Sequence, residues 1–151
     1  DVILEDVRLS SNKDGRLITV TAGGNIQLGI AQAGSYYADA ADVPAGADSS
    51  NAGHANADIV LSAGGSVSES GSDTGVDLVA DQVTISAQTG ITGIEMAANE
   101  LLSVVTAAGD IDLREQDGVA ENQQGLVVTL AEATTGSVTI SARDYLEART
   151  W

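Results

Sequence analysis

The stretch Val83-Thr84-Ile85-Ser86-Ala87 recurs letter for letter as Val138-Thr139-Ile140-Ser141-Ala142. Looser copies lie at 18–22 and 59–63. In each copy the first, third and fifth residues are apolar and the residues between them are mostly polar. This two-residue period is typical of a β-strand with one buried face. The repeated unit therefore predicts an all-β chain built from short strands in similar environments.

Glycine follows several of these strands, as in Ala22-Gly23-Gly24 and Ala63-Gly64-Gly65. Glycine permits a sharp change of direction, and a second alternating segment follows each of these corners. The spacing between units is irregular, but a stack of β-coils tolerates connections of different lengths. The sequence therefore predicts strands joined by corners, with insertions on the outside of the stack.

The string [Ile/Val]-x-[Leu/Val]-[Ser/Thr]-Ala-Gly-[Gly/Asp]-x-[Ile/Val]-x-[Leu/Val], seen at 18–28, 59–67 and 104–113, resembles the repeats of filamentous-haemagglutinin-type adhesins. The resemblance implies a right-handed parallel β-helix (a β-solenoid) and a secreted bacterial surface fibre used in adhesion or biofilm formation. The alternation by itself also fits an antiparallel β-sandwich, in which hairpins join the strands.

We expect one domain over residues 1–151, with almost no helix and about seven coils stacked into a rod roughly 35 Å long. The chain would be part of a longer protein or of a fibre. The predicted inward-facing residues, with alanines at the crowded corners, are Ile18, Val20, Ala22, Ile59, Leu61, Ala63, Val76, Leu78, Val83, Ile85, Ala87, Ile111, Leu113, Val138, Ile140 and Ala142.

Residues 29–57 interrupt the strand pattern, because Ala, Gly, Ser, Asn and Asp dominate there. An insertion of this length in a compact domain is usually functional or mobile. We therefore expect a projecting loop that contacts a partner, through residues such as Tyr36, Tyr37, Asp39, Asp42 and His54.

The chain is strongly acidic, with 22 Asp and Glu against six Lys and Arg and a net charge of -16. Nucleic acid and anionic membrane surfaces are excluded as partners, because both require clusters of basic residues. No apolar run approaches the length of about 18 residues needed for a membrane helix. The adhesin resemblance implies an extracellular or cell-surface location, where host or surface glycans are possible partners.

Oxygen ligands are abundant, and calcium is the cation that best suits them. The candidate ligands are Asp14, Asp73 and Asp77, which lie in two polar turns at 12–15 and 72–77. Ordinary Asx turns explain the same residues without any metal. The sequence therefore predicts no obligatory cofactor and leaves a calcium-stabilised surface-layer protein as an alternative.

Alternation places Asp110 and Asp112 on one strand face, and paired carboxylates are the minimum for glycoside chemistry. A carbohydrate-active enzyme on a β-helix is therefore a second alternative. The chain has few cations to bind an acidic sugar, and we predict a non-catalytic module.

The sequence at the two ends of the chain predicts what kind of partner it has. Its first residues already alternate, and only nine residues follow Ala142. We therefore expect neighbouring repeats or identical subunits to stack on both ends.

Overall fold

The structure is a computed structural model that describes residues 1–9, 15–34, 57–71, 75–116, 126–143 and 145–149. These residues form fourteen strands and no helix, which confirms the predicted all-β class. The strands are β1 (Val2–Leu4), β2 (Val7–Leu9), β3 (Leu17–Ala22), β4 (Ile26–Leu28), β5 (Ala31–Ala33), β6 (Asp58–Ala63), β7 (Val67–Glu69), β8 (Leu78–Ala87), β9 (Ile91–Thr106), β10 (Ile111–Glu115), β11 (Leu126–Val128), β12 (Ala131–Ala133), β13 (Val138–Ser141) and β14 (Leu146–Ala148).

Strand pairing is parallel throughout the described chain and forms three ladders. Ladder A stacks β1, β4, β7, the first part of β9, β10 and β13. Ladder B stacks β2, β5, the first part of β8, the middle of β9 and the end of β10, where Glu115 aligns with Met96. Ladder C stacks β3, β6, the rest of β8 and the end of β9, followed by β11, β12 and β14. An antiparallel sandwich is inconsistent with this pairing.

The chain visits ladders A, B and C in turn and then returns to A, and we call each such circuit a coil. Ladder A holds six strands, so the described chain makes five circuits and begins a sixth. The described residues thus form fewer coils than the seven or so expected, and β11 and β12 both lie in ladder C of the fifth coil. At about 4.8 Å per coil, the first and last strands of ladder A are roughly 24 Å apart.

The alternating residues of ladder C face a common aliphatic core. Ile18, Ile59 and Val83 are aligned in register across three coils. Ile59, Leu61, Val83 and Ile85 are each 0% exposed. The two-residue period therefore identified the buried face of this ladder correctly.

The end coils are less well covered than the middle ones. Val138 was predicted to face inward, but it is 43% exposed, and Ile140 is only partly buried. The reason is that β13 pairs with β10 on one side and with no described strand on the other. Ile18 and Val20 in the first coil are partly buried for the same reason, since β3 pairs only with β6.

The predicted loop over 29–57 begins too early. Residues 29–34 belong to the scaffold, because β5 pairs with β2 and β8 and both Ala31 and Ala33 are 0% exposed. Ala57 is also buried. Alanine carries too little apolar surface to stand out in the sequence, which explains why this strand was missed.

Two other segments belong to the ladders. Residues 97–102 lie within the continuous strand β9, where the chain turns from ladder B to ladder C between Ala98 and Glu100. The segment after Arg143 contains β14, which pairs with β11 and extends ladder C. Both segments pair with strands that are distant in the sequence, so local pattern does not specify their partners.

Candidate functional site

Three carboxylates meet where the chain turns from ladder A to ladder B, which we call the acidic cluster. Glu69 ends β7, Asp77 lies just before β8, and Glu95 lies within β9. One carboxylate oxygen from each residue lies within 4.8 Å of the other two. Asp77 is 2% exposed and Glu95 is 6% exposed, so two of the three acids are buried.

A β-bulge in β9 positions Glu95. Ile111 of β10 aligns with Ile91 but Leu113 aligns with Ile94, so β9 contains one residue more than its neighbour. Gly93 lies in this extra stretch with φ of 69°, a conformation that favours glycine. The bulge brings both Ile94 and Met96 into the core and leaves Glu95 between them at the turn toward ladder B.

Backbone hydrogen bonds tie the cluster together across two coils. The amide of Glu95 donates to Oδ2 of Asp77 at 2.9 Å, and the amide of Asp77 donates to the carbonyl oxygen of Glu95 at 2.8 Å. Nη1 of Arg114 lies 3.9 Å from Oε1 of Glu95, but the Arg114 side chain is 62% exposed. An ion pair of this length with an exposed arginine contributes little to stability.

Carboxylate oxygens are the ligands that calcium and magnesium prefer, and these three residues could hold such an ion. Asp77 was a predicted metal ligand, whereas Glu69 and Glu95 were not. Glu95 could have been noticed as a charged residue inside the apolar run Ile94-Glu95-Met96. The approach of Glu69 to Asp77 depends on the coil stacking and has no local signal.

The other predicted metal and partner residues lie outside the described part of the chain. These are Asp14 and Asp73 from the metal prediction, and Tyr36, Tyr37, Asp39, Asp42 and His54 from the predicted loop.

The two predicted catalytic candidates are in the scaffold near ladder A. Oδ1 of Asp110 accepts a hydrogen bond of 2.8 Å from the amide of Ser137 in the next coil. Asp112 lies within β10 opposite Thr139 and is partly buried. Asp110 therefore has a structural role at the corner where the chain passes from ladder C to ladder A, which we call the CA corner.

The same structural role recurs along the CA corner. Oδ1 of Asp1 accepts from the amide of Asn25 at 2.7 Å, and Oδ1 of Asn25 accepts from the amide of Ser66 at 2.9 Å. In each case a side chain in one coil binds the equivalent backbone position in the next. A short polar residue at this position therefore joins neighbouring coils.

The corner between ladders B and C, the BC corner, carries a second series of polar contacts. Nδ2 of Asn99 donates to Oδ1 of Asp81 at 2.7 Å, and Nε2 of Gln82 donates to Oε2 of Glu100 at 3.0 Å. Oγ1 of Thr129 donates to Oε1 of Glu100 at 2.6 Å. All of these contacts are partly exposed, and they run across the third, fourth and fifth coils.

Comparison with known proteins identifies no relative: no family model, curated protein or solved structure matches this chain. The similarity to adhesin repeats therefore rests on the repeated motif alone. The described residues also contain no helix long and apolar enough to span a lipid bilayer.

Proposed function

We propose that this chain is a non-catalytic structural or adhesive module of an extracellular bacterial fibre, and that its strands form a right-handed parallel β-helix. The parallel ladders and the aliphatic core support a stacked scaffold. The handedness is supported by a general rule, since about 98% of crossovers between parallel strands of one sheet are right-handed. The adhesive role and the location outside the cell are supported by the repeated motif.

The position of the acidic residues carries the non-catalytic part of the proposal. Asp77 and Glu95 are buried, so two of the three carboxylates in the cluster are shielded from a substrate in solution. Asp110 is hydrogen-bonded to the backbone of the next coil. Asp77 and Asp110 each accept a hydrogen bond from the backbone of a neighbouring coil, which supports a structural role for these acids.

Incubation with acidic and neutral polysaccharides tests this part of the proposal. We expect no release of reducing ends or unsaturated products from any of the polymers. Product release by the wild-type chain that is abolished by Asp110→Asn or Asp112→Asn would favour the carbohydrate-active enzyme instead. Circular dichroism of each variant would establish that it remains folded.

The scaffold is also suited to adding coils. Five times along ladder A, the first residue of a strand donates its amide to the coil that follows, at 2.8 to 3.0 Å: Val2 to Asn25, Ile26 to Ser66, Val67 to Gly90, Ile91 to Asp110, and Ile111 to Ser137. Val138 is the next residue in this series. By the same geometry its amide points toward a further coil, supplied by a neighbouring repeat or by an identical subunit.

The alternative of a calcium-stabilised surface-layer protein rests on the acidic cluster and makes a different prediction. Binding to the folded state alone would raise the melting temperature by several degrees in millimolar calcium and lower it with a chelator. A melting temperature that is the same in calcium and in chelator would remove this alternative and leave the structural module.

A further inference from the structure

The connections at the BC corner differ widely in length from coil to coil. Segments 10–16, 34–57 and 116–125 join ladder B to ladder C in the first, second and fifth coils. The last two are the longest connections between described strands. In the third and fourth coils the chain turns this corner inside β8 and β9, without any insertion. At this corner, two coils without an insertion therefore lie between coils that carry one.

Side chains of these two coils form a row of hydrogen-bonded amides and carboxylates. Asp81 is paired with Asn99, and Gln82 with Glu100, at 2.7 and 3.0 Å. Thr129 extends the row to the fifth coil. All of these residues are partly exposed, so the row is fixed in position by its internal bonds and is still accessible to a ligand.

The chemistry of this row suits a neutral ligand with many hydroxyl groups. A hydroxyl both donates and accepts hydrogen bonds, and an amide beside a carboxylate offers a donor and an acceptor at neighbouring points. An amide such as Gln82 has two N–H donors and one acceptor, so its bond to Glu100 does not use its full capacity. The net charge of -16 disfavours anionic polymers and does not oppose a neutral one.

We propose that the BC corner of the third and fourth coils binds a neutral polysaccharide, with Asp81, Gln82, Asn99 and Glu100 contacting its hydroxyl groups. Coils are about 4.8 Å apart, so the row extends over roughly 10 Å from the third coil to the fifth. This inference rests on the proposed adhesive function and names the class of ligand that the module recognises.

Affinity electrophoresis of the 151-residue chain in native gels tests the proposal. The gels would contain laminarin, xylan or galactomannan as neutral polymers, or polygalacturonate as the anionic polymer. We expect at least one neutral polymer to retard the chain, and polygalacturonate to leave its migration unchanged. Gln82→Ala should raise the dissociation constant about fivefold, as expected for the loss of one or two neutral hydrogen bonds.

The matched control is Gln88→Ala, because Gln88 is exposed on the same third coil but lies at the CA corner. It should bind like the wild-type chain, and thermal melting should find both variants folded. The proposal is overturned if no neutral polymer retards the wild-type chain, if the two variants bind equally, or if binding requires added calcium. Such a failure would not contradict the proposed structural function, because that function is tested by the addition of coils and not by ligand binding.

Discussion

Glycine at the CA corner is required by the distance between coils. The amide of Gly64 donates to the carbonyl oxygen of Ala22 at 2.8 Å, and a Cβ atom on Gly64 would collide with the carbonyl oxygen of Gly23 in the coil before it. We therefore expect Gly64→Ala to lower the free energy of unfolding by about 2 kcal/mol, as overpacking against backbone does. Urea denaturation followed by circular dichroism measures this loss.

The neighbouring coil provides the matched control for this prediction. Gly23 occupies the equivalent position, but nothing lies within 4 Å of the Cβ that alanine would add there. Gly23→Ala should change the free energy of unfolding by no more than about 0.5 kcal/mol. Equal losses in the two variants would mean that glycine is needed for backbone freedom instead of for close stacking.

The acidic cluster places like charges close together in a buried setting. Asp77 and Glu95 are 2% and 6% exposed, and their carboxylates lie within 4.8 Å of each other and of Glu69. Glu95→Gln keeps the shape and removes one charge, so we expect it to stabilise the chain by about 1 kcal/mol in a buffer with chelator. For a domain of this size that is roughly 2–4 °C in melting temperature.

The control for net charge is Asp112→Asn, which removes one charge on β10 outside the cluster. It should change the melting temperature by less than the Glu95 variant does. A lower melting temperature for Glu95→Gln in chelator would contradict the like-charge argument. If Glu95→Gln is stabilising in chelator but destabilising in millimolar calcium, the cluster binds the ion.

At the scale of strands, the two identical pentapeptides form a natural comparison. Ile85 lies in β8 between β6 and β9 and is 0% exposed, whereas Ile140 lies in β13, which pairs only with β10, and is partly buried. Ile85→Ala should cost about 3 kcal/mol, within the range for removing a fully buried isoleucine side chain. Ile140→Ala should cost less than half of that.

Chemical denaturation at low protein concentration measures both losses. The local sequence is the same at both sites, so any difference must come from the surroundings: Ile85 lies in ladder C between two coils, and Ile140 lies in ladder A on a strand that pairs with one described coil. Equal losses would mean that a further coil already covers β13 in solution, supplied by another copy of the chain. Raising the protein concentration would then increase the loss at Ile140.

Both the strands with a clear two-residue period and their inward-facing residues could be predicted from the sequence. Ile59, Leu61, Val83 and Ile85 alternate with polar residues and are all buried. The strand β5 was not found, because Ala31-Gln32-Ala33 has little apolar surface to define a face. Pairing with β2 and β8 imposes the strand there, and that pairing depends on residues far away in the chain.

The acidic cluster could be predicted only in part. Asp77 stood out as an acidic residue near a turn, but its neighbours are separated from it by 8 and 18 positions in the sequence. Their approach requires the register of β7, β8 and β9, together with the extra residue at Gly93. A bulge shifts the alternation by one residue, and no local pattern in 91–96 specifies on which side Glu95 will lie.

For the whole molecule, charge opposes any close association between copies. The ion pairs Arg8–Asp6 and Arg149–Glu147 are on the surface, where such pairs contribute little to stability. The hydrogen bond and charge of Asp6 raise the pKa of Arg8, whose guanidinium is positive at any ordinary pH even without this shift. A net charge of -16 remains, so repulsion between copies should fall as salt shortens the Debye length to about 8 Å at physiological ionic strength.

The open edge of β13 leads to the prediction that salt promotes the addition of coils from other copies. By the pattern of ladder A, the amide of Val138 points toward the next coil. Val138→Pro removes that donor, and proline is tolerated at the first residue of an edge strand. Val138→Thr keeps the donor and serves as the control. Electron microscopy across salt concentrations should reveal end-to-end filaments of the wild-type and Val138→Thr chains at high salt, and few or none of Val138→Pro. Well-folded single particles of the wild-type chain at micromolar concentration and every salt level would contradict stacking of identical chains.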